Sequence, residues 1–151
     1  MAKKLKIAIG ADHGGYFLKE RLKEHLADKD YKVKDFGTES HDPCDYPLIG
    51  YEIARHVSKK KSDYGIAICK TGFGMAIIAN KLKNVRSAVC DTPDEAKSAR
   101  EHNDCNVLAI AANRVDLASA RKIIDVFLNT PAEGGRHRRR VKQIKRLERR
   151  R

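Results

Sequence analysis

A chain of 151 residues with 41% hydrophobic residues supports one domain with a sizeable core and needs no second. No apolar run approaches a membrane span, and the segment from Met1 to Lys6 enters a strand without a signal-peptide core, so a cytoplasmic protein without membrane attachment is expected. The net charge of +12 is local: Arg136 to Arg151 holds ten Lys/Arg against Glu148, contributing +9 and leaving +3 for the rest. Cys44, Cys69, Cys90 and Cys105 show no paired metal-ligand spacing, so reduced thiols and no metal are expected.

The first predicted strand is Lys6 to Gly10, followed by Ala11-Asp12-His13-Gly14-Gly15 and a helix with Leu18, Leu22 and Leu26 on one face. Tyr31 to Phe36 alternates as a strand, and Gly37 to Pro47 reads as a polar loop. Ile49, Ile53 and Val57 then mark a second helix. Tyr64 to Ile68 predicts the third strand and Val85 to Cys90 the fourth. Thr92-Pro93-Asp94-Glu95 starts a helix with an N-cap, an early proline and first-turn acids. That helix ends near His102-Asn103-Asp104. Asn106 to Ala111 gives a fifth strand, and Leu117, Ala120, Ile124 and Phe127 pattern a helix that breaks at Thr130-Pro131. The body is read as residues 1–135, with a basic helix over 136–151 completing the same domain.

Between the third strand and its helix lies Cys69-Lys70-Thr71-Gly72-Phe73-Gly74-Met75. The glycines permit backbone geometry closed to other residues, so consecutive N–H groups can converge where a developing oxyanion would sit. A cysteine facing a helix start is favoured as a thiolate and can act as base or nucleophile. Residue 77 is Ile, which breaks a dinucleotide fingerprint, and a P-loop Gly-Lys-Ser/Thr is absent. Met75 stands where a cysteine-based phosphatase loop would need arginine.

Strands alternating with helices imply parallel crossover units, hence a single-domain, doubly wound, Rossmann-like α/β sheet of about five parallel strands. Ligands of such sheets bind beyond the carboxyl ends of the strands. Asp12, His13, Cys69, Thr71 and the glycines all fall there.

Four separated motifs carry a resemblance: Gly10-Ala11-Asp12-His13-Gly14-Gly15; Cys69 to Met75 with Ala79-Asn80-Lys81; Arg100-Glu101-His102-Asn103-Asp104; and Glu133-Gly134-Gly135-Arg136-His137 with Arg140. In that order, with Asp45-Tyr46-Pro47 between the first two, the chain resembles the ribose-5-phosphate isomerase B family, which includes allose- and galactose-6-phosphate isomerases. The resemblance implies aldose–ketose interconversion of a sugar phosphate without cofactor or metal. It makes Cys69 the base between C1 and C2, places the enediolate on the amides of residues 70 to 74, and gives Thr71 the reacting oxygens. It makes His102 the acid that opens the furanose ring, a task suited to a side chain that titrates near neutrality. Asp12, His13 and Asn103 would bind sugar hydroxyls or the ring oxygen.

The same likeness assigns the phosphate to Arg136, Arg140 and Arg114, since a dianion calls for forked donors. Arg136 and Arg140, four apart, share one helix face. Lys70 stands where the family more often has glycine, which places an ammonium beside the thiol. The family likeness further implies a homo-oligomer, dimer or tetramer, with sites shared between subunits. Ribose 5-phosphate is the leading substrate, with a hexose 6-phosphate as the alternative. A nucleic-acid-binding module is the reading from another class, motivated by the basic tail and its narrow stripe Val141, Ile144, Leu147. No aromatic-rich or zinc-finger signature supports it elsewhere, so only weak polyanion binding by the tail is expected.

Overall fold

The computed structural model describes residues 3–150, so Arg151 of the basic tail and Met1-Ala2 of the expected leader-free start lie outside the described residues. Eleven elements follow in order: β1 Lys6–Ala11, α1 Tyr16–Asp28, β2 Lys32–Asp35, α2 Tyr46–Ser58, β3 Tyr64–Cys69, α3 Phe73–Ala79, β4 Ser87–Val89, α4 Pro93–Asn103, β5 Val107–Ala111, α5 Leu117–Asn129 and α6 Gly135–Glu148. The strands form one sheet in the order β2-β1-β3-β5-β4, and every pairing is parallel. This is the open, doubly wound α/β sheet expected from the sequence.

The period of two along the central strands builds two unlike faces. Ile7, Ile9, Ile66, Ile68, Leu108 and Ile110 point to one side and pack with Leu22, Leu26, Ile123, Ile124 and Phe127 of α1 and α5. Ala8, Ala67, Cys69, Val107 and Ala109 point to the other, against Ile53, Val57 and Met75 of α2 and α3. The bulky face does most of the burying, at roughly 1.5–3 kcal/mol for each fully buried aliphatic side chain. The small-residue face lets α2 and α3 sit close to the sheet, and the same alternation turns the Cys69 side chain toward α3.

Several boundaries differ from the sequence reading. β2 omits Tyr31 and Phe36, and β4 is only Ser87–Val89; both are edge strands with a neighbour on one side alone. Tyr46 and Pro47 belong to α2 rather than to the preceding loop, and α3 begins at Phe73, directly after the glycine turn. The α4 start is as expected: the Thr92 hydroxyl accepts from Glu95 N–H at 3.1 Å. The most deeply buried charge among the described residues is the Lys19 ammonium, 1% exposed, which donates to both Asp35 carboxylate oxygens at 2.7 and 2.9 Å and to the Thr38 carbonyl at 2.7 Å. That pairing satisfies a buried cation and fastens α1 to the end of β2.

Because all five strands are parallel, each connecting helix carries the chain from the carboxyl edge of the sheet back to the amino edge. α4 leaves the carboxyl edge after β4 and ends beside the start of β5. Its eleven residues span about 16 Å at 1.5 Å per residue. α6 packs beside the end of α4: Glu133 N–H donates to the Glu101 carbonyl at 2.9 Å, Val141 is buried, and the Glu148 carboxylate accepts from Asn84 N–H at 2.9 Å, just ahead of β4.

Candidate active site

The carboxyl edge gathers one set of candidate residues around the turn after β3. Cys69 is the buried last residue of that strand, 5% exposed, and its Sγ accepts from Gly72 N–H at 3.2 Å. Gly72 can turn this way because it sits at φ +77, in the left-handed region. A Cβ there would also lie 2.9 Å from Val89 and against the backbone of Ile110 and Ala111. The turn is therefore pressed onto β5, and the carbonyls of Cys69 and Lys70 accept from the N–H groups of Ala112 and Asn113. Thr71 is exposed on the outer side of the turn, its hydroxyl accepting from Phe73 N–H at 3.3 Å.

Asp12 lies beside this turn because β1 and β3 are neighbours in register. Its carboxylate is 8% exposed and accepts from Gly14 N–H at 3.0 Å and Gly15 N–H at 3.2 Å. His13 accepts at Nδ1 from Cys44 N–H at 3.2 Å, an arrangement that fixes its proton on Nε2 when the ring is neutral. Lys70 lays its aliphatic stem over Gly14, where a Cβ would fall 2.6 Å from Lys70 Cγ. Gly14 thus leaves room for the lysine. Gly74 is covered by Tyr46, whose ring would be 2.5 Å from a Cβ at that position.

Arg114, assigned above to phosphate, braces the turn. Its Nε donates to Asp91 at 2.9 Å, its Nη2 donates to the Thr71 carbonyl at 3.0 Å, and its guanidinium lies 5.0 Å from the centre of the Phe73 ring. Asp91 and Tyr46 are the residues at this edge that the sequence reading left without a role. Asp91 follows the end of β4, so the strand-end rule that singled out Asp12 also points to it.

His102, Asn103, Arg136 and Arg140 lie elsewhere. His102 and Asn103 form the exposed end of α4, and the Asn103 carbonyl accepts from Arg86 Nε at 3.0 Å, immediately before β4. This is the amino edge, a sheet's length from Cys69. His102 stacks on His137, with centroids 4.2 Å apart and planes 12° from parallel, and His137 Nε2 is 3.5 Å from Glu133. Partial burial, with the facing His102 and nearby Arg136 adding to it, holds His137 below the ordinary histidine range. Arg136 and Arg140 are exposed on α6 beside this pair.

Two groupings bear on metal and thiol chemistry. His102, Glu133 and His137 bring their ligand atoms within 4.8 Å of one another, but nearly parallel rings direct their in-plane lone pairs side by side rather than at one ion. Burial pushes the Cys90 thiol up to about 12 and the Cys105 thiol up to about 11, so neither serves as a base near neutrality. All four cysteines are free thiols.

With this geometry in place, comparison with known proteins is direct. The Ribose/Galactose Isomerase family model matches residues 7–144. Ribose-5-phosphate isomerase B of Escherichia coli (strain K12) is 43% identical over 146 residues, covering 97% of this chain and 98% of the relative. The structure of Clostridium thermocellum ribose-5-phosphate isomerase B superposes with a TM-score of 0.94 at 43% identity, over 97% of this chain and 99% of that one. That of Mycoplasma genitalium ribose-5-phosphate isomerase B with bound ribulose-5-phosphate gives 0.92 at 39% identity, over 95% and 96%. By sequence and by fold, the chain belongs to the ribose/galactose isomerase family, alongside the type B ribose-5-phosphate isomerases.

Proposed function

We propose that this chain interconverts ribose 5-phosphate and ribulose 5-phosphate through an enediolate, at a site completed by a second copy of the chain. The observation that carries the reading is the Cys69 thiol held at a buried strand end, 3.2 Å from Gly72 N–H, on a turn whose Thr71 hydroxyl accepts from Phe73 N–H. The relative bound to ribulose-5-phosphate supports the substrate class.

In this mechanism the open-chain aldose lies with C1 and C2 over Cys69. The thiolate takes the C2 proton, and the electron pair left behind forms the C1–C2 double bond as the carbonyl π electrons move onto O1. Amides of residues 70 to 74 hold that oxygen, stabilising charge where it develops. Thr71 hydrogen-bonds the reacting oxygens, between which a proton also moves, and Cys69 returns its proton to C1. Asp12 and His13 bind sugar hydroxyls, each already oriented by a backbone N–H. Arg114 keeps Nη1 for the substrate phosphate while its other nitrogens brace the turn.

His102 opens the furanose ring, Asn103 binds a hydroxyl, and Arg136 and Arg140 fork the phosphate. Their place at the amino edge means that they serve the Cys69 turn of a partner, so the working unit is a homo-oligomer, read here as a cytoplasmic homodimer. No metal or cofactor takes part. The test is an isomerase assay on ribose 5-phosphate, allose 6-phosphate and galactose 6-phosphate at matched concentrations without added metal. Highest kcat/KM on the pentose is the expected result; a hexose phosphate turned over faster would overturn the substrate assignment.

A further inference from the structure

The α6 helix carries more charge than the proposed phosphate site uses, and the surplus is sorted by face. At about 100° per residue, with buried Val141 toward the body, Arg136 and Arg140 fall on one flank. Arg138, Lys142, Arg149, Arg146 and Arg139 fall on the other, across an arc of about 100° by the same helical geometry. All five are exposed. The helix's own acid, Glu148, is turned away and accepts from Asn84 N–H.

This arc differs from the charged faces of α1, α2 and α4. On α1, Lys23 pairs with Glu20 and Arg21 with Glu24; on α2, Arg55 pairs with Glu52; on α4, Lys97 pairs with Glu101. A solvated face normally mixes signs in this way, because acid and base three or four apart attract. On α6, Arg138, Lys142 and Arg146 instead stack like charges four apart, and Arg138 and Arg139 lie near the helix start, where a cation opposes the helix dipole.

We infer that the Arg138/Arg139/Lys142/Arg146 face of α6 is a docking surface for the phosphate backbone of a nucleic-acid duplex, distinct from the sugar-phosphate site. Successive cations stand about 6 Å apart along the axis, and a duplex carries one negative charge per about 1.7 Å of its length. The one aromatic ring of α6, His137, is already stacked on His102, so the arc offers no stacking platform for single strands. Its apolar residues Val141, Ile144 and Leu147 lie off the arc, which leaves nothing to insert into a membrane surface. Recognition is therefore electrostatic and independent of sequence.

The test titrates fluorescent 20-base-pair duplexes of two unrelated sequences with the full chain across a salt series, beside R138Q/R139Q/K142Q/R146Q and R136A/R140A. Isomerase rates and circular dichroism report on each variant's fold. Four phosphate contacts predict a log–log salt slope of about −3.6. The quadruple variant should lose most of that slope and at least tenfold in affinity at low salt, with its isomerase KM unchanged. R136A/R140A should raise KM and leave most duplex binding in place. An unaltered slope in the quadruple variant, loss of duplex binding in R136A/R140A alone, or tighter binding to phosphatidylserine vesicles than to duplex would each overturn the inference.

Discussion

The two edges of the sheet are built on opposite terms. At the carboxyl edge, the Cys69 turn is pinned from several directions: Gly72 against Val89 and β5, Arg114 bridging Asp91 and the Thr71 carbonyl, Tyr46 over Gly74. Its polar groups are aimed before any substrate arrives. At the amino edge, His102, Asn103, Arg136 and Arg140 stand exposed, with the stacked His137 steadying the histidine. The contrast teaches how the proposed function divides the work: one chain would complete the proton-transfer half of the site and present the ring-opening and phosphate half outward for another copy.

Breaking the rigid half should have the largest effect. Cys69→Ala retains the glycine turn and removes the proton acceptor, so turnover should fall by about a hundredfold to ten-thousandfold while substrate still binds. In deuterium oxide, label from solvent should stop entering C2 of the aldose, as followed by NMR. Normal label incorporation by a folded variant would point to another base, and Lys70, whose stem lies over Gly14, would be next to mutate.

Breaking the exposed half should give a directional defect. His102→Asn should slow the aldose reaction by about a hundredfold, the lower end for a positioned acid, because the furanose must open first. At high enzyme concentration the rate should level off at spontaneous ring opening. The ketose has no five-membered ring to open through its 5-phosphate, so its initial rate should fall less and stay proportional to enzyme. Equal losses in both directions, both proportional to enzyme, would assign His102 to proton transfer or to architecture.

A smaller effect should follow from loosening the brace. Asp91→Asn removes the charge that orients Arg114 without touching substrate. A drop of about three- to tenfold in kcat/KM is expected, the scale of weakening one charge-assisted hydrogen bond. Asp91→Glu should restore part of it. An unchanged kcat/KM in the Asn variant would show that Arg114 holds the turn unaided.

The sequence exposed the pinned half more fully than the open one. Hydrophobic alternation places Asp12 and Cys69 at strand ends, and parallel pairing puts those ends side by side. The α4 start was readable to the residue, because Thr92, Pro93 and Glu95 act locally. Asp91 and Tyr46 escaped a role because their importance lies in long-range contacts with Arg114 and Gly74, which no local spacing encodes. The separation of His102 from Cys69 likewise depends on strand order: His102 is tied to Cys69 by motif, and only the direction of α4 reveals that one chain cannot bring them together.

That separation is the central claim, and mixing two defective chains tests it most directly. Cys69→Ala and His102→Asn, each inactive or nearly so alone in the aldose direction, would be denatured together, refolded at equal amounts and assayed. Native mass spectrometry would count the hybrid dimers. If each site takes Cys69 from one copy and His102 from the other, every hybrid holds one intact site, and random pairing should restore about a quarter of wild-type activity, since half the dimers of a two-fold assembly are hybrids with one working site of two. Abundant hybrids that remain as inactive as their parents would contradict the shared site and require both residues to act within one chain.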